Sequence, residues 1–257
     1  MAITVLDLII IGLAAFIPPL AYMVWVRDSE ACRREPYSAV LFTFLYGATI
    51  AVGLAYIIES VITTLLSQPG GPFSQGFGPV PPLTFELIIL ACVIAPIVEE
   101  SLKGSGMSLI YWRLGEYEDG LIYGAAIGLG FAASENILYF TDAYAQGFEV
   151  FVVTAVARAL TSTLLHASAT GITGYGIARS RLLQRHGIDK SWLPYLLAAM
   201  LLHAGFNGIA IFGDVFGASS SDAALISLGL TFIVAWVAFG WLRRTIRSLD
   251  TQFPCVP

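Results

Sequence analysis

The chain has 257 residues, 57% of them hydrophobic and only 12% charged, with a formal net charge of -5 and a mean hydropathy of +0.78. An ordinary soluble domain carries about 25% charged residues, so this composition excludes that class and indicates an integral membrane protein. No basic patch with interleaved aromatics is present, and we read no nucleic-acid partner.

About 20 predominantly apolar residues cross the hydrocarbon core as a helix. Seven such stretches are predicted, near residues 4–26, 38–66, 83–112, 120–141, 149–178, 192–212 and 224–242. The alternating ten-residue segments of an outer-membrane barrel are absent. The expected fold is therefore all-α: a polytopic bundle of about seven transmembrane helices, multi-pass in the cell membrane. It reads as a single transmembrane domain over 1–257, with a motif-bearing core at about 83–212. The first span lacks a basic start and is too long for a cleaved signal peptide. Arg27, Arg33 and Arg34 follow it, Arg113 follows the third span, and Arg179, Arg181, Arg185 and Lys190 lie between the fifth and sixth. Arg243, Arg244 and Arg247 follow the last. The intervening loops carry no Lys or Arg, so the positive-inside rule puts the N-terminus outside and the C-terminus in the cytoplasm.

Between the second and third spans, Ser67 to Pro82 is Gly/Pro-rich and reads as a connecting loop more than as a lid. In the third span Pro96 removes a backbone hydrogen bond just before Glu99, which predicts a kink that frees carbonyls and admits water. Gly120, Gly124 and Gly128 in the fourth span, with Gly171, Gly174 and Gly176 in the fifth, predict close helix packing. The cysteines, Cys32, Cys92 and Cys255, are odd in number and read as structural thiols without a disulfide framework.

The informative residues are the polar ones inside the spans. An Asp, Lys or Arg at the centre of a spanning helix costs roughly 2.5 to 3.5 kcal/mol on insertion scales. Glu99, Glu100, Lys103, Glu135, Arg158, His166 and His203 together incur a penalty on the scale of a protein's net stability, roughly 5 to 15 kcal/mol. At a rise of about 1.5 Å per residue, spans three to six each bring a Glu or His to the middle of the bilayer. Glu99 and Lys103 are i,i+4 and can pair, as are His203 and Asn207. Asn136 follows Glu135, and Arg158 shares a helical face with Ser162 and His166. Adjacent residues diverge by about 100° on a helix, so Glu99 and Glu100 are expected to face different partners, one activating water and the other holding a cation.

These residues resemble a known family. E-E-S-L-K (99–103), F-A-A-S-E-N (131–136), His166 and H-A-G-F-N (203–207) look like the motifs of the PrsW intramembrane proteases, relatives of the CAAX-processing and bacteriocin-processing proteases. The resemblance covers roughly residues 95 to 210, and Glu135 followed by Asn favours PrsW over those relatives. It implies an endopeptidase that cleaves a membrane-anchored protein at the lipid bilayer, with a single-pass anti-sigma factor as a candidate substrate.

Catalytic zinc takes three N or O protein ligands and keeps a position for water. His166, His203 and Glu135 would supply that set, and a carboxylate of Glu99 or Glu100 would be the general base. Asn207, Asn136 or Arg158 would stabilise the oxyanion. A metal-free version has Glu99 or Glu100 activate water while His203 and Asn207 orient it. A proton- or ion-coupled transporter would also bury Glu and His, but it predicts repeat symmetry, which the sequence lacks. Oligomeric state is not encoded in these motifs.

Overall fold

The structure is a computed structural model that describes residues 4–78, 80–215 and 221–251. Among the described residues seven helices are long and apolar enough to cross a membrane: α1 (Val5–Arg27), α2 (Tyr37–Leu66), α3 (Pro82–Arg113), α4 (Tyr117–Gln146), α5 (Phe148–Arg185), α6 (Leu193–Ala210) and α7 (Asp222–Asp250). Each coincides with a span expected from hydropathy. The 67–82 connection holds only a short helix, Pro72–Gln75, and a bridge between Phe77 and Val80.

The bundle is arranged around α4, which is buried continuously from Glu118 to Ala133. A helix enclosed on all sides must let its neighbours approach its backbone, and glycine provides that. A Cβ added at Gly120, Gly124 or Gly128 would meet the carbonyl oxygen of Gly174, Thr170 or His166 on α5, and one at Gly130 would meet that of Phe44 on α2. The predicted packing face is therefore real, and at Gly128 it sets the depth of His166. Gly128→Ala is expected to force α4 and α5 apart at a cost of about 1 to 3 kcal/mol. A lower thermal unfolding midpoint of the detergent-purified protein would register it.

Two helices are irregular where the chemistry lies. In α3, Leu90–Ile94 form a wide π turn, Ala95–Ser105 are α-helical and Gly106–Arg113 tighten to 3-10 geometry. In the π turn the Ala95 N–H reaches back to the Leu90 carbonyl. The same register would give Ala91 the N–H of Pro96, which proline lacks. Asn207 on α6 supplies the missing donor, its Nδ2 lying 2.8 Å from the Ala91 oxygen. The kink expected from Pro96 is thus a local opening braced from another helix.

Helix α5 departs from expectation. Thr161 has φ -126° and ψ -85°, so Phe148–Leu160 and Ser162–Arg185 are separate helical segments. The Thr161 hydroxyl donates back to Ala157 at 2.7 Å, the side-chain competition with backbone bonding that disfavours threonine in helices. The helical face assumed for Arg158 and His166 is interrupted between them.

The reading of all three cysteines as free thiols is corrected. Cys32 is disulfide-bonded, and Cys92 is free. Cys255 lies outside the described residues. Spacing along the chain could not reveal that the turn after α1 is folded onto the end of α7, where the Asp250 carboxylate accepts the Ala31 and Cys32 N–H groups at 2.8 and 3.0 Å.

Candidate intramembrane active site

The regular segment of α3 presents Glu99 and Glu100, and Lys103 follows one turn later. Lys103 Nζ lies 2.8 Å from Glu99 Oε2 and 2.8 Å from Glu100 Oε1. It also lies 2.9 Å from His166 Nδ1 on α5. An ammonium has three donors, and these three acceptors use them all. The angular divergence of adjacent residues gives the acidic pair different surroundings, but a lysine at i+4 and i+3 still bends its ammonium between the two carboxylates. Lys103 and Glu100 are fully buried, and Glu99, His166 and His203 are no more than 5% exposed. The Lys103 ammonium also lies 4.0 Å from the centre of the Phe131 ring.

That network fixes the imidazole protons. Because His166 Nδ1 accepts from an ammonium, its proton sits on Nε2, which donates to Glu135 Oε2 at 3.1 Å. Arg158 Nη2 reaches the same Glu135 oxygen at 2.6 Å, and its Nε donates to Asn136 Oδ1 at 2.6 Å. His203 Nδ1 donates to Glu100 Oε1 at 3.0 Å, which leaves its Nε2 as a lone pair. Thr170 adds a hydroxyl to Glu100 Oε2 at 3.1 Å. The two imidazole rings stand edge to face with centroids 5.0 Å apart.

Of the residues named from sequence, eight therefore share one hydrogen-bonded network: Glu99, Glu100, Lys103, Glu135, Asn136, Arg158, His166 and His203. Asn207 stands apart from it in role, since its amide N–H is committed to the Ala91 carbonyl, although its side chain lines the same cavity.

The cavity has a volume of about 700 Å³ and is bounded by α2, α3, α4, α5 and α6, with Glu99, Glu135, Arg158, His166 and His203 in its wall. A second cavity of about 360 Å³ between α2 and α4 also reaches Glu99 and Glu135. Glu100 lines neither, so the two adjacent carboxylates differ in access: Glu99 meets the cavity and Glu100 lies behind it.

Three residues around the site escaped the sequence reading. Glu59 of α2 lines both cavities, and its Oε1 has no hydrogen-bond partner among the described residues. Its signal was available, as a single charge inside an apolar span. Tyr139, one turn beyond Glu135, lines both cavities and stacks under the Arg158 guanidinium at 3.7 Å. Thr170 carried no signal, because a buried threonine in a helix is ordinary.

The donor set suits a metal. Glu99, Glu100, His166 and His203 each offer one ligand atom, all within 4.8 Å of one another and all buried. Mixed imidazole and carboxylate donors are those of catalytic zinc. A cation already stands among them, the Lys103 ammonium, and the proton on His166 Nε2 donates to a carboxylate, as second-shell partners of metal-binding histidines do.

Comparison with known proteins agrees with this geometry. The family model described as PrsW family intramembrane metalloprotease matches residues 35–241. Among curated relatives, Protease PrsW of Clostridioides difficile (strain 630) is 27% identical over 200 residues, covering 77% of this chain and 76% of the relative. Protease PrsW of Geobacillus kaustophilus (strain HTA426) is 26% identical over 235 residues, covering 90% and 88%. That of Bacillus subtilis (strain 168) is 28% identical over 203 residues, covering 76% and 80%. No solved structure gives a significant match. With seven apolar helices around a buried Glu/His cluster and a family match over most of its length, the chain belongs to the PrsW family of intramembrane metalloproteases and is a multi-pass membrane peptidase.

Proposed function

We propose that Glu99 is the general base of peptide-bond hydrolysis and that the substrate is a single-pass membrane protein, with an anti-sigma factor as the candidate suggested by the family. The observation that carries this reading is the unequal access of the acidic pair: Glu99 opens to the cavity, while Glu100 is enclosed by Lys103, Thr170 and His203. A water in the cavity gives a proton to Glu99 as its oxygen attacks the scissile carbonyl carbon. The carbonyl oxygen, taking up the displaced electron pair, accepts hydrogen bonds from the Arg158 guanidinium, whose Nε and one Nη2 proton are held by Asn136 and Glu135. When the C–N bond breaks, Glu99 returns the proton to the departing amine.

Lys103 holds the base in place, and Glu135 orients His166. His166, His203 and Glu100 are the residues that would hold a metal, beside the cavity that Glu99 faces. Glu135, expected from sequence as the third ligand, is better placed as the carboxylate behind His166. Zinc there, when bound, supplies Lewis acidity and a more acidic water. The distribution of the basic residues supports an N-terminus outside and a C-terminus in the cytoplasm, and we read residues 1–257 as one transmembrane domain.

The test is reconstitution in liposomes with a single-pass substrate. The wild type is expected to cut it, and Glu135→Ala and His203→Ala are expected to fold and fail. Elemental analysis before and after chelation, run on wild type and on His203→Ala, reads the metal separately from activity. Full cleavage by both variants would remove the assignment.

A further inference from the structure

A second group of carboxylates lies at the membrane face that carries the basic loops, at the opposite end of α4's buried stretch from Glu135. Glu30 is in the turn between α1 and α2, and Glu116 and Glu118 open α4. One oxygen from each lies within 4.8 Å of the others. Glu30 is fully buried and Glu118 is 2% exposed, yet Oε1 of each has no hydrogen-bond partner among the described residues. A buried carboxylate oxygen without a donor costs free energy comparable to a lost hydrogen bond or more, so a native structure retains two of them together only where something else satisfies them.

The surroundings do not supply it. Glu30 Oε2 takes the Glu35 N–H at 3.1 Å, which leaves Oε1 over. The neighbouring acids are engaged elsewhere: Glu35 accepts from Tyr123, Asp119 caps α4 through the Gly115 and Glu116 N–H groups, and Asp250 accepts from Ala31 and Cys32. The cation in direct contact is Arg33, paired with Glu116 Oε1 at 2.7 Å and itself 66% exposed at its side chain. It stands at the rim and leaves the interior acidic.

We propose that Glu30, Glu116 and Glu118 form a binding site for a hard divalent cation, Mg²⁺ or Ca²⁺, distinct from the imidazole-containing intramembrane cluster. All three donors are carboxylate oxygens, with no imidazole or thiolate among them, and an all-oxygen set is the ligand chemistry that suits those two ions best. The bound ion ties the turn after α1 to the first turn of α4, and so anchors the helix that carries Glu135. Ca²⁺ takes six to eight oxygens and Mg²⁺ keeps several of its waters, so both complete their shells with water around three carboxylates.

The experiment uses the full chain in detergent, stripped by chelation and titrated separately with CaCl₂ and MgCl₂, with calorimetry and thermal unfolding as readouts. One ion per chain and an unfolding midpoint that rises with ion concentration are expected. The relative affinity of the two titrations identifies the ion. Glu30→Gln/Glu118→Gln is expected to weaken binding at least tenfold, and Glu116→Gln, at the partly exposed rim, is expected to weaken it while leaving the interior packing intact. His166→Ala/His203→Ala is expected to retain the site, which separates this result from any failure of the proposed mechanism. Absence of uptake at millimolar ion, the signature of carboxyls kept neutral by protons, would overturn the proposal, as would unchanged affinity in Glu116→Gln.

Discussion

Replacing Glu99 by Gln is expected to lower the rate of substrate cleavage by about 10²- to 10⁴-fold, the range that a positioned general base contributes. The amide keeps the size of the side chain and can still accept from Lys103, so the network of Glu100, His166 and His203 stays assembled. What disappears is the capacity to take a proton from water at the cavity wall. Cleavage of a membrane-anchored substrate by purified protein in liposomes measures it, with an unchanged unfolding midpoint as the control for folding. A variant that cuts within a few-fold of wild type would move the base elsewhere, and Glu59, another acid with access to both cavities, would be the next residue to replace.

The largest effect on stability is expected from Lys103→Met. Its ammonium lies 2.8 Å from each of two buried carboxylates and 2.9 Å from an imidazole, and no part of its side chain is exposed. Removing one partner of a buried ion pair typically costs about 3 to 5 kcal/mol, because the remaining charge is stranded. Here two charges are stranded, against a net stability of roughly 5 to 15 kcal/mol. Thermal unfolding in detergent is expected to show a large fall in midpoint. The triple replacement Glu99→Gln/Glu100→Gln/Lys103→Met, which removes charge from all three positions, is expected to recover much of that fall and to remain inactive. A single Lys103→Met as stable as wild type would show that the acidic pair does not depend on this lysine.

The fold was legible because a bilayer makes simple demands: seven long apolar runs, each marked by length and hydropathy, are the seven helices found. The cluster was legible for the same reason, since Glu99, Glu135, His166 and His203 stand out against apolar neighbours. What sequence could not supply is three-dimensional. Divergence of neighbours on an ideal helix set Glu99 and Glu100 in different surroundings, and gave no sign that a flexible lysine would join them. Periodicity joined Arg158 to His166 on one face, and the helix is interrupted between them at Thr161. Asn207 looked like part of the chemistry because of its spacing from His203, whereas its amide N–H braces the turn opened by Pro96. Cys32 looked unpaired because nothing local announces which distant segment a turn will touch.

The ion pairing within the cluster has an electrostatic consequence. The carboxylates of Glu99, Glu100 and Glu135 face the cations of Lys103 and Arg158 in a medium that resists any added charge. A proton passed from water to Glu99 and onward to the amine never leaves the assembly, and its total charge is the same before and after. Hydrolysis by this route is electroneutral with respect to the lipid: charge is relocated over a few ångströms and none is imported across the hydrocarbon.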